Sequence, residues 1–180
     1  MHDPGPALAA WRRLLEKWRV AMDLVGPGPL DPHFEDAVAA VRWLDARGEW
    51  VDLGSGAGFP GLALAALHPA ARVTLVERRQ KRCAFLEQVV AEAKLANALV
   101  RCGDAADLPR GAWDGVVARA YRPAPELIEE ARGLLKIGGV LVLLLAREAA
   151  PPSPGFEAFH VERYAAGGHG RSAVGLRRTA

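Results

Sequence analysis

The sequence predicts an α/β protein of the class I, Rossmann-like kind, with a doubly wound and mostly parallel sheet. Three observations carry that expectation. From residue 48 onward, short apolar runs suited to buried strands alternate with helix-length segments. One such run, Trp50-Val51-Asp52-Leu53, passes into Gly54-Ser55-Gly56-Ala57-Gly58-Phe59-Pro60-Gly61 and then directly into an alanine- and leucine-rich stretch. A second run ends on an acid, Glu77, about 20 residues further on, the spacing at which adenosine-binding folds place a ribose-gripping carboxylate.

Each element follows from a local pattern. Trp11, Leu14, Leu15, Trp18 and Met22 recur at helical spacing, so residues 7–22 are expected as an amphipathic helix with Arg12, Arg13, Lys17 and Arg19 on its other side. Gly26-Pro27-Gly28-Pro29 breaks it, and residues 32–46 resume a helix. Then come strand 49–53, helix 59–67, strand 72–76, helix 80–95, strand 98–102, a polar loop 103–112, strand 113–118, helix 124–135 and strand 139–146. Past a proline-rich linker, Pro151-Pro152-Ser153-Pro154, weaker strands at 156–164 and 172–178 fit an antiparallel edge. Residues 1–47 are read as a helical extension packed on a core of residues 48–180, one domain overall.

Composition narrows the class. At 180 residues and 51% hydrophobic content the chain can bury a full core. The longest apolar run, Val140 to Ala146, is far short of a membrane span, and the start Met1-His2-Asp3-Pro4-Gly5-Pro6 lacks the basic-then-apolar pattern of a secretory signal. A cytoplasmic protein without a membrane partner is therefore expected. Cys83 and Cys102 show no metal-like spacing; they are expected as free thiols, and no metal is expected. The net charge of +2 conceals a basic cluster, Arg78, Arg79, Lys81 and Arg82, which suits either a phosphate backbone or a solvated helix start.

The glycine loop is the chemical centre of the chain. Glycines at 54, 56 and 58 allow positive φ and keep Cβ atoms away from a ligand, while the helix after Pro60 points free N–H groups toward it. Gly56 to Gly61 satisfies the dinucleotide pattern G-x-G-x-x-G, whereas Asp52 to Gly58 fits the G-x-G-x-G loop of S-adenosylmethionine (SAM) methyltransferases. Both cofactors want Glu77, which is otherwise a solvated strand-end charge. The loop Gly103-Asp104-Ala105-Ala106-Asp107 favours SAM, because such a loop reads adenine with a carboxylate and a neighbouring backbone N–H. Asp104 also fits an ordinary turn or cap. The candidate cofactor residues are thus Asp52, Gly54, Ser55, Gly56, Gly58, Glu77, Asp104, Ala105, Ala106 and Arg119. Arg119 ends the fourth core strand at the carboxyl edge of the sheet, where doubly wound folds bind ligands; an ion pair with a nearby acid such as Asp114 is the alternative.

Together these motifs resemble a known family. Lys17-Trp18, Met22-Asp23-Leu24, His33 with Asp36, the glycine loop with its Gly-Phe-Pro-Gly ending, Lys81-Arg82 with Phe85-Leu86-Glu87, Ala118-Arg119-Ala120 and Leu135-Lys136-Ile137-Gly138-Gly139 are similar to the RsmG (GidB) family. Its members are 16S ribosomal RNA guanine-N7 methyltransferases. The resemblance implies SAM as cofactor and small-subunit ribosomal RNA as partner. It also implies that Gly54 and Phe59 line the SAM site, that residues 104–106 hold the adenine, and that Arg119 is a catalytic residue beside cofactor and guanine. The chain departs from the family pattern at Leu145-Ala146-Arg147, where a lysine-glycine pair is usual, and at Asp23-Leu24-Val25 and Asp104-Ala105-Ala106. Arg171 matches a family arginine or is a solvated hairpin charge. Guanine N7 is itself a lone-pair nucleophile, which suits a site with no nucleophilic Cys, His or Asp. A diverged methyltransferase of a small molecule or protein, and a SAM-binding protein without catalysis, are the alternative readings.

Overall fold

The computed structural model describes residues 4–146, 151 and 153–180; Arg147, the first three residues and Pro152 lie outside the described residues. Among the described residues, seven strands form a single sheet: β1 (Gly48–Leu53), β2 (Ala71–Glu77), β3 (Ala98–Cys102), β4 (Trp113–Ala118), β5 (Leu135–Leu145), β6 (Phe156–Ala166) and β7 (His169–Arg178). Their order is β3-β2-β1-β4-β5-β7-β6. The first five are parallel, and β7 pairs antiparallel with both β5 and β6. The strand order therefore reverses between β1 and β4, and loops at their carboxyl ends splay apart there to leave a crevice.

The α-helices of the described residues cover the sheet: α1 (Gly5–Trp18), α2 (Asp31–Val41), α3 (Gly61–Leu67), α4 (Gln80–Glu92) and α5 (Ala124–Leu134). Alternate residues of each strand face opposite sides. Trp50, Val73 and Leu75 join a cluster with α1 to α4, while Val51, Leu53 and Val76 join one with α5. The apolar stripe of α1 packs as its spacing predicts, with Trp11, Leu14 and Leu15 buried. The helix ends at Trp18 rather than 22, because the chain turns through Asp23 at φ 49° and Leu24 donates its N–H back to the Arg19 carbonyl. Helix α2 likewise stops at Val41, beyond which Trp43 stacks on His160 with ring centroids 4.1 Å apart. Strand β5 starts four residues before the expected position, at Leu135, where it already pairs with Trp113.

One expectation is overturned. Cys83 and Cys102 are not free thiols; they form a disulfide with a Cα separation of 5.7 Å. Nineteen residues of sequence separate them, but the first turn of α4 packs beside the end of β3, so the fold brings the two Cβ atoms together.

Candidate functional site

Two clefts open at the carboxyl edge of the parallel strands, and Ala120 lines both. The first lies over the ends of β1, β2 and β3, with Gly54, Glu77, Arg78, Arg79, Asp104, Ala105 and Tyr121 in its walls. The second, about 460 Å³, lies between the end of β4, the start of α2 and the β6–β7 hairpin, and contains His33, Asp36, Arg119 and Arg171.

The glycine loop shapes the first cleft. Gly54, Gly56 and Gly58 all sit at positive φ, 67°, 56° and 99°, which non-glycine residues rarely adopt. At Gly54 a Cβ would lie 2.6 Å from Cδ2 of Tyr121, so the bare backbone is what lets the ring close over the loop. A Cβ on Gly61, the first residue of α3, would stand 2.5 Å from both Asp52 Oδ2 and Leu75 Cδ2, and this glycine permits close helix–sheet packing. Glu77, nearly buried at 7% exposure, accepts from Gly56 N–H at 3.0 Å through Oε2 and from Arg79 N–H at 2.8 Å through Oε1. Its carboxylate thus braces the loop, and two of its roughly four lone-pair positions stay uncommitted among the described residues.

The other predicted cofactor residues divide. Asp52 is fully buried beneath the loop, where Oδ2 accepts from Gly61 N–H at 3.2 Å and Oδ1 has no hydrogen-bond partner among the described residues. Burial pushes its pKa up to about 7, against the opposing pull of Ser55 and then of that N–H. Ser55 is also buried and donates its hydroxyl to the Asp52 carbonyl. Neither reaches the cleft surface. Asp104 does line the cleft, yet Oδ1 accepts from Ala106 N–H and Oδ2 pairs with Arg78 at 3.5 Å, so its carboxylate caps the single 3-10 turn Ala105–Asp107. That backbone hydrogen bond leads the lowering of its pKa.

Phe59 does not line the first cleft. Its ring lies 4.4 Å from that of Trp11 and 5.2 Å from that of Phe34, and the Trp11 indole N–H donates to the Ala57 carbonyl at 2.9 Å. This cluster clamps the glycine loop from behind, and its outer face carries the Arg119 guanidinium 4.3 Å above Phe59. Arg119 pairs with Asp36 at 3.3 Å, not with Asp114, which Lys136 and the Glu49 N–H hold instead. His33 stands in the same cleft with its pKa lowered, first by burial and then by Arg119. Arg171 lines the same cleft and stands exposed to solvent there.

The basic cluster also lands differently from a separate surface patch. Arg78, Arg79 and Arg82 line the first cleft, and Arg79 and Arg82 face Asp23. Tyr121 and Tyr164 went unflagged in the sequence. Tyr121 lies two residues beyond a strand-end arginine, a local signal that was available; Tyr164 reaches the site only through the hairpin.

A glycine loop braced by an acid at the tip of β2, at the point where the strand order reverses, defines a nucleotide-cofactor protein of the class I methyltransferase fold. The M. jannaschii TYW2 structure, a complex with AdoMet, superposes on it with a TM-score of 0.63 at 17% identity, over 82% of this chain and 76% of that one. Residues 6–151 match the family described as GidB, rRNA small subunit methyltransferase G, and the chain belongs to that family. Its relatives include the ribosomal RNA small subunit methyltransferase G of Deinococcus radiodurans, 42% identical over 61% of this chain and 46% of that protein. The protein of the same name from Paracoccus denitrificans is 34% identical over 78% of this chain and 75% of its own length. The aligned part thus spans less than half of the first relative and three quarters of the second. Among the described residues no helix is long and apolar enough to cross a membrane.

Proposed function

We propose that this chain methylates guanine N7 in small-subunit ribosomal RNA, with SAM in the first cleft and the target base in the second. One observation carries the reading: the two clefts meet at Ala120, beside a guanidinium at the end of β4. A donor and an acceptor placed on either side of that residue would face each other across one backbone unit. The cradle fits SAM because a Cβ at Gly54 would close on Tyr121, whereas the space above Gly56 has no heavy atom nearer than 3.7 Å. Glu77 would hold the ribose hydroxyls, Ala105 and Ala106 would flank the adenine, and the backbone at Gly54 and Gly56 would form the bed of the methionine portion. Family membership supports ribosomal RNA as the partner.

When bound, SAM supplies an electrophilic sulfonium methyl. The protein's task is then orientation rather than proton transfer, since N7 presents its lone pair without a base. Arg119 keeps four of its five N–H groups without a partner among the described residues, and these can donate to guanine O6 while leaving N7 clear. Holding base and methyl in line is worth up to about 7–11 kcal/mol of barrier in model systems. Arg171, with no ion-pair partner among the described residues, supplies charge for a phosphate at the cleft mouth.

The test is methyl transfer from labelled SAM to undermethylated small ribosomal subunits and to naked 16S RNA, with nucleosides identified by mass. N7-methylguanosine at one position is the expected product. Arg171→Ala should lower the salt slope of RNA binding by about one unit and leave SAM affinity unchanged. Label appearing only in protein or small molecules would replace the RNA reading with that of a diverged methyltransferase.

A further inference from the structure

The Arg119 side chain is only 21% exposed, and burial lowers its pKa against the favourable pull of Asp36. A buried arginine can point in many directions along its flexible stem, so a defined direction needs external restraint. Two restraints are present. The Phe59 ring supports one face of the guanidinium, and Asp36 Oδ2 accepts from Nη1. Asp36, 8% exposed on α2, is itself restrained: its Oδ1 accepts from the Tyr164 hydroxyl at 2.9 Å. Asp36 lies 83 residues before Arg119 and 128 before Tyr164, so none of these contacts is a by-product of local chain geometry. The chain of contacts runs from the β6–β7 hairpin through α2 to the end of β4, and it ends at the residue beside the wall shared by both clefts.

We propose that Asp36 and Tyr164 are positioning residues for Arg119, Tyr164 fixing the carboxylate and the carboxylate fixing the guanidinium that meets the target base. The inference rests on the function proposed above. Asp36 occupies an edge of Arg119 that would otherwise be free to collapse onto an incoming phosphate. The hydroxyl prevents the carboxylate from rotating away. Both residues act through Arg119, and neither needs to touch substrate or cofactor. The helical segment before the sheet and the hairpin after it also meet through the Trp43–His160 stack and the Arg42–Glu162 ion pair, and each contributes one link to the chain.

The experiment compares Tyr164→Phe, Asp36→Asn and the double variant in steady-state methyl transfer to small ribosomal subunits. It is paired with side-chain NMR of arginine-labelled protein free of substrate. Tyr164→Phe should lower kcat about tenfold and Asp36→Asn about a hundredfold, the scale of an ångström of misplacement, with KM for RNA and the Kd for SAM within about twofold of the parent. The double variant should be no worse than Asp36→Asn alone, because the hydroxyl acts only through the carboxylate. The Arg119 side-chain signal should broaden and exchange faster in Tyr164→Phe. Multiplicative losses in the double variant, or an Arg119 signal unchanged in Tyr164→Phe, would overturn the proposal. If the parent protein methylates no RNA, the function reading fails on its own, and the NMR comparison still decides the positioning role.

Discussion

Replacing Glu77 separates two jobs that one carboxylate is expected to perform. In the structure it holds Gly56 N–H and Arg79 N–H, at 3.0 and 2.8 Å. Hydrogen bonds to a charged group contribute about 1.5–3 kcal/mol each, and because both bonds are only part-buried, water recovers part of the loss in a variant. Glu77→Ala should therefore lower stability by about 2–3 kcal/mol, or about 5–10 °C in Tm for a domain of this size. If the uncommitted lone pairs also take the ribose hydroxyls, SAM affinity should fall by a further ~2–3 kcal/mol, roughly 30- to 150-fold. Glu77→Gln keeps the shape and one acceptor, so it should lie between Ala and the parent in both measurements. Calorimetric titration with SAM and with its demethylated product, alongside thermal unfolding, separates the effects. A variant that loses stability but binds SAM within about twofold of the parent would make Glu77 a brace for the loop alone, and the ribose assignment would be refuted.

Three further outcomes are expected. Gly54→Ala drives a Cβ to within 2.6 Å of Tyr121 at φ 67°, so SAM binding should disappear; Gly56→Val should do the same through its backbone, since φ 56° suits no branched residue although nearby space is open. Titration calorimetry on the folded variants checks both. Asp52 has its pKa raised to about 7, so the folded state holds a proton that the unfolded chain releases near pH 4. Its contribution is complete below about pH 4 and is lost as pH rises through about 7, a few kcal/mol in all, and urea melts should show a stability difference between parent and Asp52→Asn that varies across that window. Reducing the Cys83–Cys102 bond opens a loop of 19 residues and should cost about 3 kcal/mol on loop-closure grounds, which melts with and without dithiothreitol would show.

The sequence was most legible where a pattern is local. Every core strand and helix lay close to its expected position because periodicity and the glycine signals are written within a dozen residues. Spacing alone put Glu77 and the loop at 104–106 near the glycine loop, and both line the first cleft; the hydrogen bonds by which Glu77 braces that loop were not legible in it. What escaped was tertiary. Phe59 was expected at the cofactor because the family motif includes it, yet its ring packs among Trp11, Phe34 and Arg119, a choice made by helices 25 to 48 residues upstream. Arg119 found Asp36 rather than Asp114 because α2 folds over the end of β4, while Lys136 claims Asp114 from β5. The disulfide was hidden for the same reason, since no spacing rule joins a helix start to a strand end.

The link from Tyr164 to Asp36 has a consequence for synthesis on the ribosome. A nascent chain can lay down the glycine loop, Glu77 and the 104–106 turn while residue 164 has yet to emerge, because all the partners of those groups lie earlier in the sequence. Arg119 differs: the hydroxyl that steadies its acid arrives only with the hairpin that closes the sheet against β5. The cofactor's cradle can thus take shape during translation, whereas the guanidinium beside it acquires its final aim when the last strands dock.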